Sequence, residues 1–292
     1  MPTTQGPAPR VEDELARYIS RFPEMEQIAG LYADIFRLQE ELKARLGPRE
    51  PADRAQALEK LSKDIPLVED DRTLIQPSLF RDAAISLAEI LRKWDGEDFP
   101  AERILAAPQL SAEYLPRFLE GLREDPHSSL AKLSEETGAK PETLAFFVRT
   151  VLTPFYESEA QRYGELVRET TRRSGACPAC GSPPGMARLR QEDGKRVLQC
   201  SLCRAQWDFP RIGCPFCGNT DQSTLRYFYL DGDPGHKVNV CERCKKYIKT
   251  SDGKALGRPV ILQVEDVATL PLDYLAAEEG YTAGFEDRLC HR

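Results

Sequence analysis

The stretch that decides the fold reads Cys177-Pro-Ala-Cys180-Gly181, then Cys200-Ser-Leu-Cys203, then Cys214-Pro-Phe-Cys217-Gly218, then Cys241-Glu-Arg-Cys244. It holds eight of the nine cysteines of the chain, as four Cys-x-x-Cys pairs. Two intervening residues let a tight turn aim both sulfurs at one ion, and two such turns supply the four thiolates of a closed tetrahedral site. The pairs fall into two similar units, with 19 residues between the pairs of the first and 23 between those of the second. The glycine after each opening pair provides the positive φ at which the chain can turn amides toward sulfur. The duplicated pattern reads as two four-cysteine metal ribbons in tandem. Disulfides would require an oxidising compartment, and a single redox pair does not account for four.

At 292 residues the chain suits two or three domains with a sizeable core. No apolar run is long enough to cross a bilayer. Residues 1–10 read as a disordered leader without the pattern of a secretory signal. Together with reduced thiols, this leads us to expect a cytoplasmic protein. Charge is unevenly placed: residues 1–171 carry 22 Lys/Arg against 32 Asp/Glu, residues 172–258 carry 16 against 8, and the remainder 2 against 7. The cysteine region is thus basic on an acidic chain. Eight thiolates and two divalent ions would remove about half of that +8 excess. This weakens the case for nucleic-acid binding, and no nucleic-acid partner is expected.

The periodicity predicts a helical domain over 11–173, with helices over 11–20, 24–46, 53–61, 78–94, 101–106, 111–122 and 128–137, and a long helix from Pro141 to about Thr171, kinked at Pro154. Ser128 to Leu144 has the spacing of a helix-turn-helix, but the acidic surroundings favour core packing; Trp94, Tyr114, Phe146, Phe147, Phe155 and Tyr156 read as core or helix-contact residues. His127 reads as a turn or cap residue. Arg172-Arg173 is the expected hinge. The first ribbon, 174–211, contains a hairpin turning at Asp193-Gly194, and the second, 212–258, one turning across 231–235. Each hairpin joins neighbouring cysteine pairs, which favours consecutive pairing while spacing leaves an interleaved pairing open. Trp207, Phe209 and Pro210 are expected to form a small core between the ribbons. A C-terminal tail, 259–292, is expected to hold a strand over Val260–Val264 and a helix over Leu272–Glu279. His236 is spare once four sulfurs bind, and Cys290-His291 reads as incidental. The fold class is therefore α+β: an all-helical N-terminal domain, two tandem four-cysteine modules, and a strand-helix tail.

The run Cys-Pro-Ala-Cys-Gly-Ser-Pro-Pro, followed by Cys-Ser-Leu-Cys-x3-Trp-x3-Arg-x2-Cys-Pro-Phe-Cys-Gly, resembles the FdhE family of formate dehydrogenase accessory proteins. The later Cys-Glu-Arg-Cys-x2-Tyr-x-Lys and the segment from Asp266 to Ala276 are similar to it as well. The resemblance implies an assembly factor and not an enzyme, acting in the cytoplasm on the catalytic subunit of a respiratory formate dehydrogenase before export. It implies two rubredoxin-like iron sites, Cys177, Cys180, Cys200 and Cys203 holding one ion and Cys214, Cys217, Cys241 and Cys244 the other. Four thiolates suit zinc equally well, so zinc stands as the alternative. Other readings are a redox protein whose tetrathiolate iron passes electrons or assists sulfur delivery to that client, and a nucleic-acid-binding zinc ribbon. The resemblance leaves a homodimer open.

Overall fold

Apolar residues three and four apart wind the N-terminal half into helices. The computed structural model describes residues 11–21, 25–68, 74–95, 99–170 and 174–285; the expected leader, the Arg172-Arg173 hinge and Cys290-His291 lie outside them. Helix α1 spans Val11–Arg21, α2 Glu26–Leu46 and α3 Arg54–Ser62. The Asp53 carboxylate caps α3, accepting from the amides of Ala55 and Gln56. Helix α4, Pro77–Asp95, buries Ala83, Leu87 and Leu91 on one face, joined by Phe80, Ala84 and Ala88. Trp94 at its end packs on α2 at Gly30, where a Cβ would stand 2.4 Å from the indole. Helices α5 (Ala101–Ala106), α6 (Leu115–Glu124) and α7 (Pro126–Thr137) follow. The helix expected from 111 starts later, at Leu115, after a 3-10 turn over Pro108–Leu110, and Tyr114, expected in the core, stands exposed just before it.

Helix α8, Pro141–Gln161, is the axis of this half: Leu144, Phe147, Val151, Phe155 and Ala160 are all buried, on several faces at once. The second helix of the helix-turn-helix pattern thus packs into the core from Leu144 onward. Pro154 offers no N–H to the Thr150 carbonyl. Gln39 Nε2 of α2 donates to that oxygen at 3.0 Å instead, and the helix runs through the proline. The expected continuation toward Thr171 breaks at Arg162-Tyr163, after which α9 forms over Gly164–Glu169.

The second half is one sheet. Strands β1 (Pro184–Leu189), β2 (Arg196–Cys200) and β3 (Gln206–Phe209) form the first ribbon; β4 (Leu225–Phe228), β5 (His236–Cys241) and β6 (Lys246–Asp252) form the second. Each ribbon is an antiparallel hairpin plus a third strand emerging from its closing cysteine pair. The ribbons join edge to edge: β1 runs parallel to β6, with Met186 opposite Lys249 and Leu189 opposite Asp252, giving the order β3-β2-β1-β6-β5-β4. A short β7, Thr282–Ala283, also pairs with β6, beside Lys246 and Tyr247, extending the lane that β1 occupies.

Two expectations are corrected here. Val260–Val264 is not a strand; after the short helix α10, Gly253–Leu256, and Pro259 the chain enters helix α11, Leu262–Ala268, which buries Leu262, Val264, Glu265 and Val267. A five-residue, mostly apolar run has no periodicity that separates a strand from a buried helix, and packing against α1, α2, β1 and β6 settles the matter. Nor do Trp207, Phe209 and Pro210 form a core between the ribbons. Trp207 is fully buried in the principal core and β3 packs on α9, whereas Pro210 is exposed. Between α11 and β7 lies α12, Leu270–Glu278, close to the expected helix.

The principal core runs without interruption from the helices into the first cysteine group, taking in Cys177, Cys180, Cys200, Cys203, Leu198 and Trp207. A separate, smaller core of Val238, Val240, Tyr247, Leu272, Ala276 and Tyr281 lies between the second ribbon and α12. Small ribbons have little interior of their own. The first is completed by the helical half, the second by the tail.

Candidate metal centres

Each ribbon gathers its four sulfurs within 4.8 Å of one another: Cys177, Cys180, Cys200 and Cys203 in the first, Cys214, Cys217, Cys241 and Cys244 in the second. The pairing is consecutive. Nearest sulfurs are 3.6 Å (Cys177–Cys203), 3.4 Å (Cys180–Cys200), 3.6 Å (Cys214–Cys244) and 3.7 Å (Cys217–Cys241) apart. Sulfurs about 2.3 Å from a shared ion stand roughly 3.8 Å apart in a tetrahedron, whereas a disulfide requires about 2.05 Å. Both groups therefore fit one tetrahedral cation each, and neither is a pair of disulfides.

The local chain makes this geometry from four similar turns. Gly181 (φ 79°) and Gly218 (φ 70°) return their amides to the carbonyls of Cys177 and Cys214, at 2.8 and 3.0 Å. The closing pairs end in the same left-handed conformation without glycine, at Arg204 (φ 56°) and Lys245 (φ 55°). Donors to sulfur come from inside the turns. The amides of Leu202 and Cys203 reach Cys200 Sγ at 3.4 Å, and Asn219 Nδ2 lies 3.6 Å from Cys241 Sγ.

Burial opposes four thiolates lying together, and the thiols respond unequally. Burial, reinforced by the neighbouring sulfurs, pushes Cys200 and Cys203 well above the usual thiol range. Cys180 lies well below it: burial raises it, but hydrogen bonds from Cys177, Cys200, Cys203 and Ser182 outweigh that. In the second group burial raises Cys214 strongly and Cys244 to about 11. Cys241, despite burial, is drawn down to about 7 by the amides of Cys244 and Arg243 and by Asn219. A divalent cation is what permits all four sulfurs of such a group to be thiolates at once.

The first group is tied to the helices by polar contacts as well as by core. The amides of Leu67 and Val68, after α3, donate to the carbonyls of Pro178 and Ala179 in the first turn, at 3.2 and 2.8 Å. Arg204 reaches back into the helices: Nη1 donates to Glu157 at 3.0 Å and Nη2 to Gln39 Oε1. Lys43 Nζ meets the other Glu157 oxygen at 3.0 Å. Gln39 is the residue that satisfies Thr150 below Pro154, so one buried network links the metal turn to the irregular point of α8. In the second group, Pro215 and Phe216 are pressed by glycines. A Cβ on Gly175 would fall 1.7 Å from the Pro215 carbonyl oxygen, and one on Gly284 would fall 2.0 Å from the Phe216 ring.

Sequence reasoning placed all eight cysteines together in their two groups. It missed Arg204 and Lys245, although both stand directly after a closing cysteine, the place held by glycine in the opening pairs. His236 does not approach a sulfur site. It bridges Asp233 (2.7 Å) and Glu265 (2.9 Å), with Arg258 on the far side of Glu265 at 2.6 Å. Burial lowers its pKa, but the two carboxylates more than reverse this and raise it to about 9. His127 lies in the first turn of α7, at the rim of a cavity of about 540 Å³ shared by the helical half, the first ribbon and the tail. Tyr32, Phe36 and Phe146 line it from the helices, Met186 and Ser201 from the ribbon, and Leu270 from the tail. Among the described residues no helix is long and apolar enough to cross a membrane.

A helical half sharing its core with the first of two fused four-cysteine ribbons defines a sulfur-ligand metal-ribbon protein, whose two groups could each hold one metal ion. The family model for the central domain of FdhE matches residues 176–211, the whole of the first ribbon from Cys177. An FdhE homolog of Aquifex aeolicus is 30% identical over 168 residues, which is 56% of this chain and 58% of that protein. One from Stutzerimonas stutzeri is 39% identical over 115 residues, 36% of this chain and 35% of that protein. These alignments thus span between about a third and 58% of the curated relatives' length. The crystal structure of the FdhE protein from Pseudomonas aeruginosa superimposes with a TM-score of 0.62 at 25% identity, covering 95% of this chain and 93% of that one. The chain is thus similar to FdhE proteins, in sequence most clearly over the first ribbon and in fold over nearly its whole length.

Proposed function

We propose that this chain is a cytoplasmic assembly factor, not an enzyme, required to produce active respiratory formate dehydrogenase, whose catalytic subunit it binds before export. The observation that carries this reading is the closure of both cysteine groups. With four sulfurs at coordination distance, neither would leave a position for substrate, so the ions would hold the fold and not activate a reactant. The reading rests further on the similarity to FdhE proteins, and the cavity of about 540 Å³ at the junction of three parts of the chain supports a binding role. We assign the two ions to Cys177, Cys180, Cys200 and Cys203, and to Cys214, Cys217, Cys241 and Cys244. Iron is the ion the family resemblance favours, with zinc the alternative the same donors accept. Iron would add a one-electron couple that zinc lacks.

Deleting the gene from its host and assaying respiratory formate oxidation tests the role; activity equal to the parent strain would end it. Capture of the formate dehydrogenase catalytic subunit on the tagged chain is the accompanying expectation. The optical spectrum of protein purified without air and then oxidised separates the ions, since ferric tetrathiolate absorbs in the visible and zinc does not.

A further inference from the structure

The two sulfur groups are chemically alike and physically unlike. All four sulfurs of the first are buried, the most accessible being Cys180 at 7%. In the second, Cys214 and Cys241 are buried, Cys244 is half-buried and Cys217 is exposed. Hydrogen bonding divides the second group in the same way. Cys214 accepts from the amides of Cys217 and Phe216, Cys241 from those of Cys244 and Arg243 and from Asn219, and Cys244 from that of Lys246. Among the described residues, the contacts given for Cys217 Sγ are with other sulfurs, Cys241 at 3.7 Å and Cys244. The chain beside it is open too, with no atom within 4 Å of the place a Cβ on Gly218 would take.

Amide donors withdraw charge from a metal-bound thiolate and lower its nucleophilicity, and burial keeps reagents from it. Cys217 has neither protection. We propose that the second centre is a reactive centre that opens at Cys217, a modification site for soft electrophiles, whereas the first is a closed staple of the principal core. This rests on the metal assignment proposed above. When the electrophile is a maleimide, the metal-bound sulfur lone pair adds to the alkene and forms one S–C bond. Water protonates the other alkene carbon. The resulting thioether is neutral and a poor ligand, so its bond to the metal breaks and three thiolates remain.

The test uses the full chain with Cys290→Ser, zinc-loaded, after its metal content has been measured. Two ions per chain uphold the metal assignment; fewer would sink that assignment itself, separately from this inference. N-ethylmaleimide is then added, metal release is followed with a chromophoric chelator, and labelled peptides are mapped over time. The expected result is release in two phases at least tenfold apart in rate, the fast phase carrying one ion, with label first on Cys217. Cys177, Cys180, Cys200 and Cys203 should remain unlabelled until denaturant is added. A Cys217→Ser variant that keeps its second ion should lose the fast phase. If that variant does not hold the ion, the labelling order of the parent chain decides alone. Release of both ions at one rate, or first labelling at Cys244 or at any cysteine of the first group, overturns the proposal.

Discussion

Glu157 is the place where the helical half and the first metal turn depend on each other most, and its removal has a calculable consequence. Its carboxylate receives Arg204 Nη1 and Lys43 Nζ, both at 3.0 Å, and its side chain is 12% exposed against 15% for each cation. Glu157→Ala would leave a cavity beside two largely buried cations, Arg204 retaining the neutral Gln39 oxygen and Lys43 the exposed Glu40 carboxylate at 2.7 Å. Breaking a buried pair by deleting one partner costs about 3–5 kcal/mol, and residual exposure argues for the lower end, about 3 kcal/mol. For a structural unit of this size that corresponds to a melting temperature lower by roughly 6–12 °C. Arg204→Ala should cost less, about 1.5–2 kcal/mol, because Glu157 keeps Lys43. The double variant should cost less than the sum of the two, with a coupling of about 1–2 kcal/mol. The assay is thermal unfolding of the metal-loaded chain, followed by circular dichroism of the helices at constant pH and salt. Additivity within about 0.5 kcal/mol, or a shift below about 2 °C for Glu157→Ala, would refute the claim that this contact joins the two halves. The backbone supplies an internal check. Arg204 sits at φ 56°, so Arg204→Gly loses the same guanidinium while relieving left-handed strain, and should unfold about 0.5–1 kcal/mol later than Arg204→Ala.

Other consequences are open to direct measurement. Gln39→Leu strands the Thr150 carbonyl and should cost about 1–3 kcal/mol; adding Pro154→Ala, which restores an N–H to that carbonyl, should recover part of the loss in the same melt. The pKa of His236 is raised in the fold from 6.5 to about 9, so its contribution is complete below pH 6.5 and is lost as pH rises through about 9. The melting temperature should therefore fall between pH 6.5 and 9 by several degrees more in the parent than in His236→Gln; parallel profiles would count against the ionic bridge to Asp233 and Glu265. Cys180→Ser should lose one ion and also destabilise the helices, since that group lies in the principal core. Cys217→Ser should leave the helical melt within about 2 °C of the parent, and an equal loss in both variants would contradict the division into two cores.

Sequence alone determined what depends on local spacing. A Cys-x-x-Cys turn is complete within four residues, so its duplication identified both sulfur groups and the hairpins joining their pairs. The amphipathic period was enough for α2 and α4, whose buried stripes repeat every three or four residues. Tertiary structure decided what depends on a partner distant in the chain. Whether Pro154 breaks α8 turns on Gln39, more than a hundred residues away. Val260–Val264 becomes helix because α1, α2 and the sheet surround it, and Trp207 turns to the helices because β1 and β6 already join the ribbons. Arg204 and Lys245 took a conformation usually left to glycine, and no propensity of arginine or lysine announces it. The difference between the two sulfur groups is of the same kind. Their cysteine motifs are alike; one is sealed by α3, α8 and α9, and the other lies at the edge of the principal core, between the first ribbon and the tail, with Cys217 exposed.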